Sequence, residues 1–381
     1  MSTHKPVTLL HISDIQLQDV ERESFLPPLI YDLKKLKARY ALKPQVLVVS
    51  GDLAERGTTE EFRRVEAFLR DVASELSLDT SRIVIVPGNH DINWKDCETG
   101  HFADPKITPP QPYPEKWRKF MDFFDSFYAE NRPEGLKFTL EQPWTIFELE
   151  PLKMVFAGIN STWSESHLKK HHFGLIGESQ IQWFSEKLSG YKHRDWFRVA
   201  VLHHNIAVTN KKDDSYLKDS ALFYYDIYRN VNLVLHGHTH QATAENREGV
   251  PILSTGSPTV PRKLRPADVP RQYHVIQLWP AHYQRWARLY SQPKGLWIGD
   301  CSISIDGNSW NERRVCQFSS VKKTFRSVSD DVFSHATGFI EAGDAISSLS
   351  ILAKQDQMAS PTQFYRSILI KQKFGIYEDR D

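Results

Sequence analysis

Leu233-Val234-Leu235-His236-Gly237-His238-Thr239-His240 joins a short apolar run to a turn carrying two histidines one residue apart. A run of this length bounded by glycine reads as a buried strand. Four upstream stretches repeat the pattern. Residues 7–12 lead to Asp14, 46–49 to Gly51-Asp52, 83–86 to Gly88-Asn89-His90-Asp91, and 199–202 to His203-His204. Five strand ends thus deliver carboxylate, amide and imidazole donors. Converging at one edge of a sheet, they form the donor set that two divalent metals require.

Working outward, the first 90 residues alternate strand and helix. Leu29, Leu33, Leu36 and Tyr40 recur at helical spacing, with Pro27 and Pro28 read as a helix start. Thr58 and Glu61 have capping-box spacing, and Phe62, Val65, Leu69, Val72 and Leu76 then share one helical face. This β-α-β-α-β order implies parallel strands with right-handed crossovers. Further on, 144–149 and 154–160 read as an antiparallel pair, and 181–188 and 218–230 as helices. Strands near 251–254, 274–278 and 283–290 are expected to complete a second sheet. The expected fold is α/β: a two-sheet sandwich flanked by helices in four α/β/β/α layers, over residues 1–298.

Two segments stand apart. An insert at about 93–140 is rich in proline and then aromatic, with Trp117, Phe120, Phe123, Phe124, Phe127 and Tyr128. Long insertions of this kind form lids or binding loops; the other reading packs these rings on the main core. Residues 299–381 read as a small helical extension, with helices at 332–354 and 361–374. They carry no ligand cluster and suit packing or docking onto a protein partner.

Composition narrows the function classes. The chain has 381 residues, 40% hydrophobic and 25% charged, with a formal net charge of +1. That balance fits a globular protein and carries no strongly basic nucleic-acid footprint. Cys97, Cys301 and Cys316 have no metal-like spacing, and so sparse a set points to a reducing compartment. The N-terminal residues lack a signal-peptide layout, and no apolar stretch approaches the roughly 20 residues of a membrane span. The expectation is a cytoplasmic protein with no membrane association.

Taken in order, Asp14, Gly51-Asp52, Gly88-Asn89-His90-Asp91, His203 and Gly237-His238-Thr239-His240 resemble the motif set of the calcineurin-like metallophosphoesterases, over about residues 7–290. The resemblance implies a dinuclear centre. Asp52 would bridge two ions, Asp14 and His240 would complete the first site, and Asn89, His203 and His238 the second. A metal-bridging water or hydroxide would be the nucleophile. His90 would be the catalytic residue that does not ligate, protonating the leaving oxygen or stabilising the transition state. Asp91 either orients His90 or is structural.

The family's histidine two residues after the first aspartate is Gln16 here. Gln16 either ligates through its amide oxygen or leaves that position to water, and an oxygen donor favours Mn²⁺ over Zn²⁺ or iron. His204 and Arg262 are candidate substrate contacts, Arg262 as part of a basic loop with Lys263 and Arg265. Lys169, Lys170, His171 and His172 read either as a phosphate grip or as a solvated charge cluster. His11 reads as core. Asp52 is followed by Leu53-Ala54-Glu55 rather than the Asp-Arg-Gly of the protein-phosphatase branch. The expected reaction is therefore phosphodiester hydrolysis on nucleotides or nucleic acid. The alternative is a nuclease subunit or phosphomonoesterase docked into a larger complex by 299–381, and the aromatic insert could stack single-stranded bases.

Overall fold

The structure, a computed structural model, describes residues 6–16, 21–101, 113–206, 215–303 and 309–316. The expected helices at 332–354 and 361–374 lie outside the described residues. Two mixed sheets flanked by helices make up the fold. In the first sheet, β1 (Val7–Ile12), β2 (Val46–Ser50) and β3 (Ile83–Val86) run parallel. On the far side of β1, β10 (Gln272–Trp279), β11 (His282–Ser291), β12 (Leu296–Gly299) and β13 (Asn311–Val315) continue it antiparallel.

The second sheet has the order β4-β5-β6-β7-β9-β8, from Thr145–Leu149, Met154–Gly158, Phe197–Val201, Leu233–His236, Val250–Ser254 and Thr243–Arg247 respectively. Its central strands β5, β6, β7 and β9 are parallel. The all-apolar runs at these strands explain their placement, because a parallel strand is covered on both faces.

Several expectations need correction. The strands at 274–278 and 283–290 belong to the first sheet, where β10 pairs with β1 in register Leu9↔Ile276. Periodicity identifies a strand but does not choose its partner. The first sheet continues past residue 298, since β12 runs through Gly299 and β13 pairs with the first half of β11. The helix read at 218–230 is a broken run of α, π and 3₁₀ turns, from Ser220–Leu222 through Phe223–Ile227 to Tyr228–Asn230. Helix α1 (Glu21–Tyr40) begins before Pro27 and Pro28, which therefore lie inside it.

Helix α2 (Thr59–Leu76) opens on the expected capping box. The Thr58 side chain accepts from the Glu61 N–H, and the Glu61 carboxylate accepts from the Thr58 N–H. Phe62, Val65, Leu69 and Val72 on one face are fully or almost fully buried. The aromatic insert follows the core reading rather than the lid. Trp117, Phe120, Phe123, Phe124 and Phe127, on and just before α4 (Arg118–Phe127), are buried, with Phe123 stacked on Phe62 at 5.1 Å between ring centroids. Rings packed there are not available to stack bases. Trp117 Nε1 donates to Thr162 Oγ1, and Lys116 Nζ donates to the carbonyls of Trp163 and Glu165, so the insert is tied to the loop after β5. Among the described residues no helix is long and apolar enough to cross a membrane.

Candidate metal centre

Every candidate ligand lies just beyond the C-terminal end of a parallel strand. Asp14 follows β1, Asp52 follows β2, Asn89 follows β3, His203 follows β6, and His238 and His240 follow β7. The two sheets each contribute three of them. Backbone bonds lock the ends together: Asp14 N–H donates to the Gly51 carbonyl, and Gly237 N–H to the His203 carbonyl.

The backbone is strained here. Asp14, Gln16, Asp52, His238 and His240 all have φ between 36° and 68°. Non-glycine residues rarely occupy this left-handed region, at a cost of about 1–3 kcal/mol each, and such outliers gather at functional sites. Gly51, at φ +91°, makes room for the cluster. A Cβ there would stand 2.6 Å from Nδ1 of His203.

Hydrogen bonds assign the ring tautomers. His203 Nδ1 lies 2.9 Å from the Ser50 carbonyl, His240 Nδ1 2.9 Å from the Leu264 carbonyl, and His90 Nδ1 2.8 Å from the Glu55 carbonyl. A carbonyl only accepts, so each Nδ1 carries the proton and each Nε2 of a neutral ring keeps its lone pair. These lone pairs face other acceptors. His203 Nε2 is 3.2 Å from Asp52 Oδ2 and 3.0 Å from Asn89 Oδ1. His240 Nε2 is 3.2 Å from Asp14 Oδ1, a fully buried oxygen with no hydrogen bond. His238 Nδ1 is 3.2 Å from Asn89 Oδ1. One ligand atom each from Asp14, Asp52 and His203 lie within 4.8 Å of one another.

Acceptors converging in a buried space are stable only around positive charge. Without an ion, protons must supply it. Burial alone would raise the carboxyl of Asp52, but the His203 and His90 charges outweigh it and hold it far below the usual range. Burial likewise opposes a charge on His203, yet Asp52 pushes its pKa up to about 9. Asp14 and His240 are shifted in the same opposed senses by each other. The residues present therefore fit divalent cations in number, type and charge.

The other sequence candidates fall differently. Gln16 meets the cluster through its amide nitrogen, which donates to Asp52 Oδ2 at 3.0 Å. Through that bond it steadies the carboxylate. Asp91 does not hold His90. Its oxygens accept from the backbone N–H groups of Leu53, Ala54 and Gly88, binding the turn after β2 to the turn after β3. Burial, and then the Asp52 charge, push its pKa up to about 7.

His90 is positioned by its own N–H, which donates to Asp52 Oδ1 at 2.9 Å, and by the Glu55 carbonyl. His204 is 1% exposed, with its ring bonded to Ser161 Oγ and lying 4.7 Å from that of His238. It backs the site beside the His238 ring. Arg262 donates to the Pro266 carbonyl and to Asp268 within its own loop, not to the cluster. That loop enters the site instead through the Leu264 carbonyl on His240. His171 and His172 bond to Ser166, and His172 stacks on Trp94 at 4.3 Å. Sequence spacing missed Ser50, Glu55 and Leu264, because backbone carbonyls leave no residue-type signal.

The model of the calcineurin-like phosphoesterase family matches residues 7–242. A cAMP/cGMP dual specificity phosphodiesterase of Mycobacterium tuberculosis (strain CDC 1551 / Oshkosh) is 24% identical over 255 residues, covering 64% of this chain and 65% of that protein. The match thus spans just under two thirds of the relative's length. A probable cyclic nucleotide phosphodiesterase of Ruthia magnifica subsp. Calyptogena magnifica is 23% identical over 254 residues, 66% of this chain and 85% of that protein. Among solved structures, a dimetal phosphatase from Danio rerio superposes with a TM-score of 0.49 at 13% identity, covering 75% of this chain and 97% of that one.

Proposed function

This chain belongs to the calcineurin-like phosphoesterase family, and from that premise we propose that it is a dinuclear-metal-dependent phosphodiesterase acting on nucleotides. The observation that carries the reading is the convergence of the His203 and His240 lone pairs, and of the His238 Nδ1 atom, on the Asp14, Asp52 and Asn89 oxygens. Asp14, Asp52 and His240 would hold one ion, and Asp52, Asn89, His203 and His238 the other. Bound there, two divalent cations supply Lewis acidity toward a phosphoryl oxygen and lower the pKa of a water toward neutrality. Amide and carboxylate oxygens beside imidazoles suit Mn²⁺, with iron and Zn²⁺ as the other candidates.

The protein's own residues do the rest. Gln16 and the His90 N–H each grip one oxygen of Asp52, which fixes its plane. His90, with Nδ1–H on the Glu55 carbonyl, keeps Nε2 to protonate the leaving oxygen. In the metal-free chain burial opposes a charge on His90, while Asp52 and the Glu55 carbonyl raise its pKa. Relatives named as cyclic nucleotide phosphodiesterases support a diester over a monoester. So does the absence of Asp-Arg-Gly after Asp52.

The test is a Mn²⁺ hydrolysis panel. It compares 3′,5′-cyclic AMP and GMP, a linear dinucleotide, a nucleoside monophosphate, and single- and double-stranded DNA. Cyclic or linear nucleotide diesters should turn over at least about tenfold faster than the monoester. Preference for the monoester, or turnover undiminished by a chelator, would overturn the proposal. Cleavage confined to long polynucleotides would replace it with a nuclease.

A further inference from the structure

The imidazoles at the strand ends are not all held alike. His203, His240 and His90 each rest Nδ1 on a backbone carbonyl, which fixes the tautomer. His238 is held at its other nitrogen, and by a side chain: Nε2 lies 2.7 Å from Ser215 Oγ. We infer that Ser215 is a positioning residue for His238, accepting the Nε2–H so that the Nδ1 lone pair is directed at the cluster. There Asn89 Oδ1 stands 3.2 Å and His203 Nε2 3.3 Å from Nδ1. This inference rests on the metal-centre reading above.

The chain holds Ser215 in place from behind. The Ser215 carbonyl accepts from the Gly174 N–H at 3.0 Å, and the Lys218 N–H returns to the Gly174 carbonyl at 2.8 Å. Leu217 N–H donates to the Asn205 carbonyl at 2.9 Å, two residues beyond His203. Residues 215–218 lie so close that a Cβ at Gly174 would meet Leu217 Cα at 3.0 Å, and on its other contact the Cβ of His204 at 2.7 Å. His204, fully buried, closes the other side of the His238 ring. Nothing in the Gly-His-x-His motif specifies this serine. It comes from a separate segment bonded to Gly174 and Asn205.

A hydroxyl differs from a carbonyl in that it can accept or donate. With Nδ1 bound to a cation, Nε2 carries the proton and Oγ accepts it. With Nδ1–H turned to Asn89 Oδ1, Oγ donates to Nε2. One proton exchanges between the ring nitrogens, and the ring keeps its hydrogen bond in both states. Groups that orient a ligating histidine through its second nitrogen typically contribute 10–100-fold to metal affinity.

The experiment compares the full chain with its Ser215→Ala and Ser215→Thr variants. The readouts are Mn²⁺ binding by calorimetry and thermal unfolding in excess chelator. The parent should bind two ions. Ser215→Ala should lose roughly 10–100-fold in affinity for one of them and keep the other, while Ser215→Thr, with its hydroxyl, should bind like the parent. All three should unfold alike in chelator. Parental affinity for both ions in Ser215→Ala would overturn the inference. So would an equal weakening of both ions with a lowered chelated midpoint that Ser215→Thr does not restore, since that is a structural role. A parent that binds fewer than two ions overturns the metal-centre reading itself, and this inference with it.

Discussion

The backbone N–H of His238 donates to Oδ2 of Asp14 at 3.2 Å, across 224 positions of sequence. The same aspartate keeps its other oxygen, buried and without a hydrogen bond, 3.2 Å from Nε2 of His240. The first strand of one sheet and the turn after β7 of the other are thus fastened to each other through the candidate centre. Cations bound there should hold the sandwich together as well as serve chemistry.

Cation binding should therefore stabilise the folded chain. Mn²⁺ at about 100 times its Kd should add about 2.7 kcal/mol, read as a rise in thermal midpoint that a chelator reverses. In Asp52→Asn the rise should shrink sharply, because one oxygen shared by both sites is lost. An unchanged midpoint in the parent across a Mn²⁺ titration would refute a metal site at these residues.

His90→Ala should separate chemistry from binding. Loss of a positioned general acid typically costs 10²–10⁴-fold in rate. Its backbone N–H on Asp52 survives the substitution, so Mn²⁺ affinity and thermal midpoint should stay near those of the parent. Diester turnover within about threefold of the parent, well short of that range, would remove His90 from the mechanism.

Gly51→Ala should harm both fold and site. The substitution places a methyl group against the His203 ring at φ +91°. Overpacking of this kind costs about 1–3 kcal/mol, with a further penalty for the left-handed backbone. Urea unfolding should show a lowered midpoint at unchanged slope. Stability equal to the parent's would mean the turn after β2 is looser than drawn.

Acid should unfold the chain partly through a buried histidine pair. His11 and His274 lie 2.7 Å apart between ring nitrogens, with His11 also bonded to Ser50 Oγ. Burial, and then the charges of neighbouring His236 for His11 and of His11 for His274, lower both pKa values, that of His11 to about 3. A histidine with a lowered folded pKa adds stability that is present above its unfolded value near 6.5. That stability is lost as pH falls toward 3, because the unfolded chain binds the extra protons. His274→Gln should flatten the decline in unfolding free energy between pH 6.5 and 4. An identical slope in parent and variant would contradict this account.

Much of the candidate site is legible in the sequence because chemistry and geometry share a register at strand ends. Apolar runs that must be buried on both faces announce parallel strands, and the first polar residues after them must lie at the sheet edge. That logic brings Asp14, Asp52, Asn89, His203, His238 and His240 to strand ends, and the family resemblance implies their roles as ligands. It leaves Gln16 open, because its residue type permits either an amide oxygen or an amide nitrogen to face Asp52. It leaves His204 and Arg262 open as well, where only packing decides which neighbour takes the side chain. The aromatic insert is ambiguous for the same reason, since helical spacing of Trp117, Phe120 and Phe124 says that one face is apolar and not what covers it.

By itself the sequence determined the alternating strands and helices of the first 90 residues, the capping of α2 and the residue types at the strand ends. These depend on local periodicity and on backbone conformations that few residues tolerate. Only the tertiary structure decided that β10 and β11 join β1, and that backbone carbonyls from Ser50, Leu264 and Glu55 set the histidine tautomers. It also decided that Ser215 reaches His238 from a distant loop. Strand partnership and carbonyl hydrogen bonds are long-range backbone properties, available to any residue, and leave no mark on residue identity.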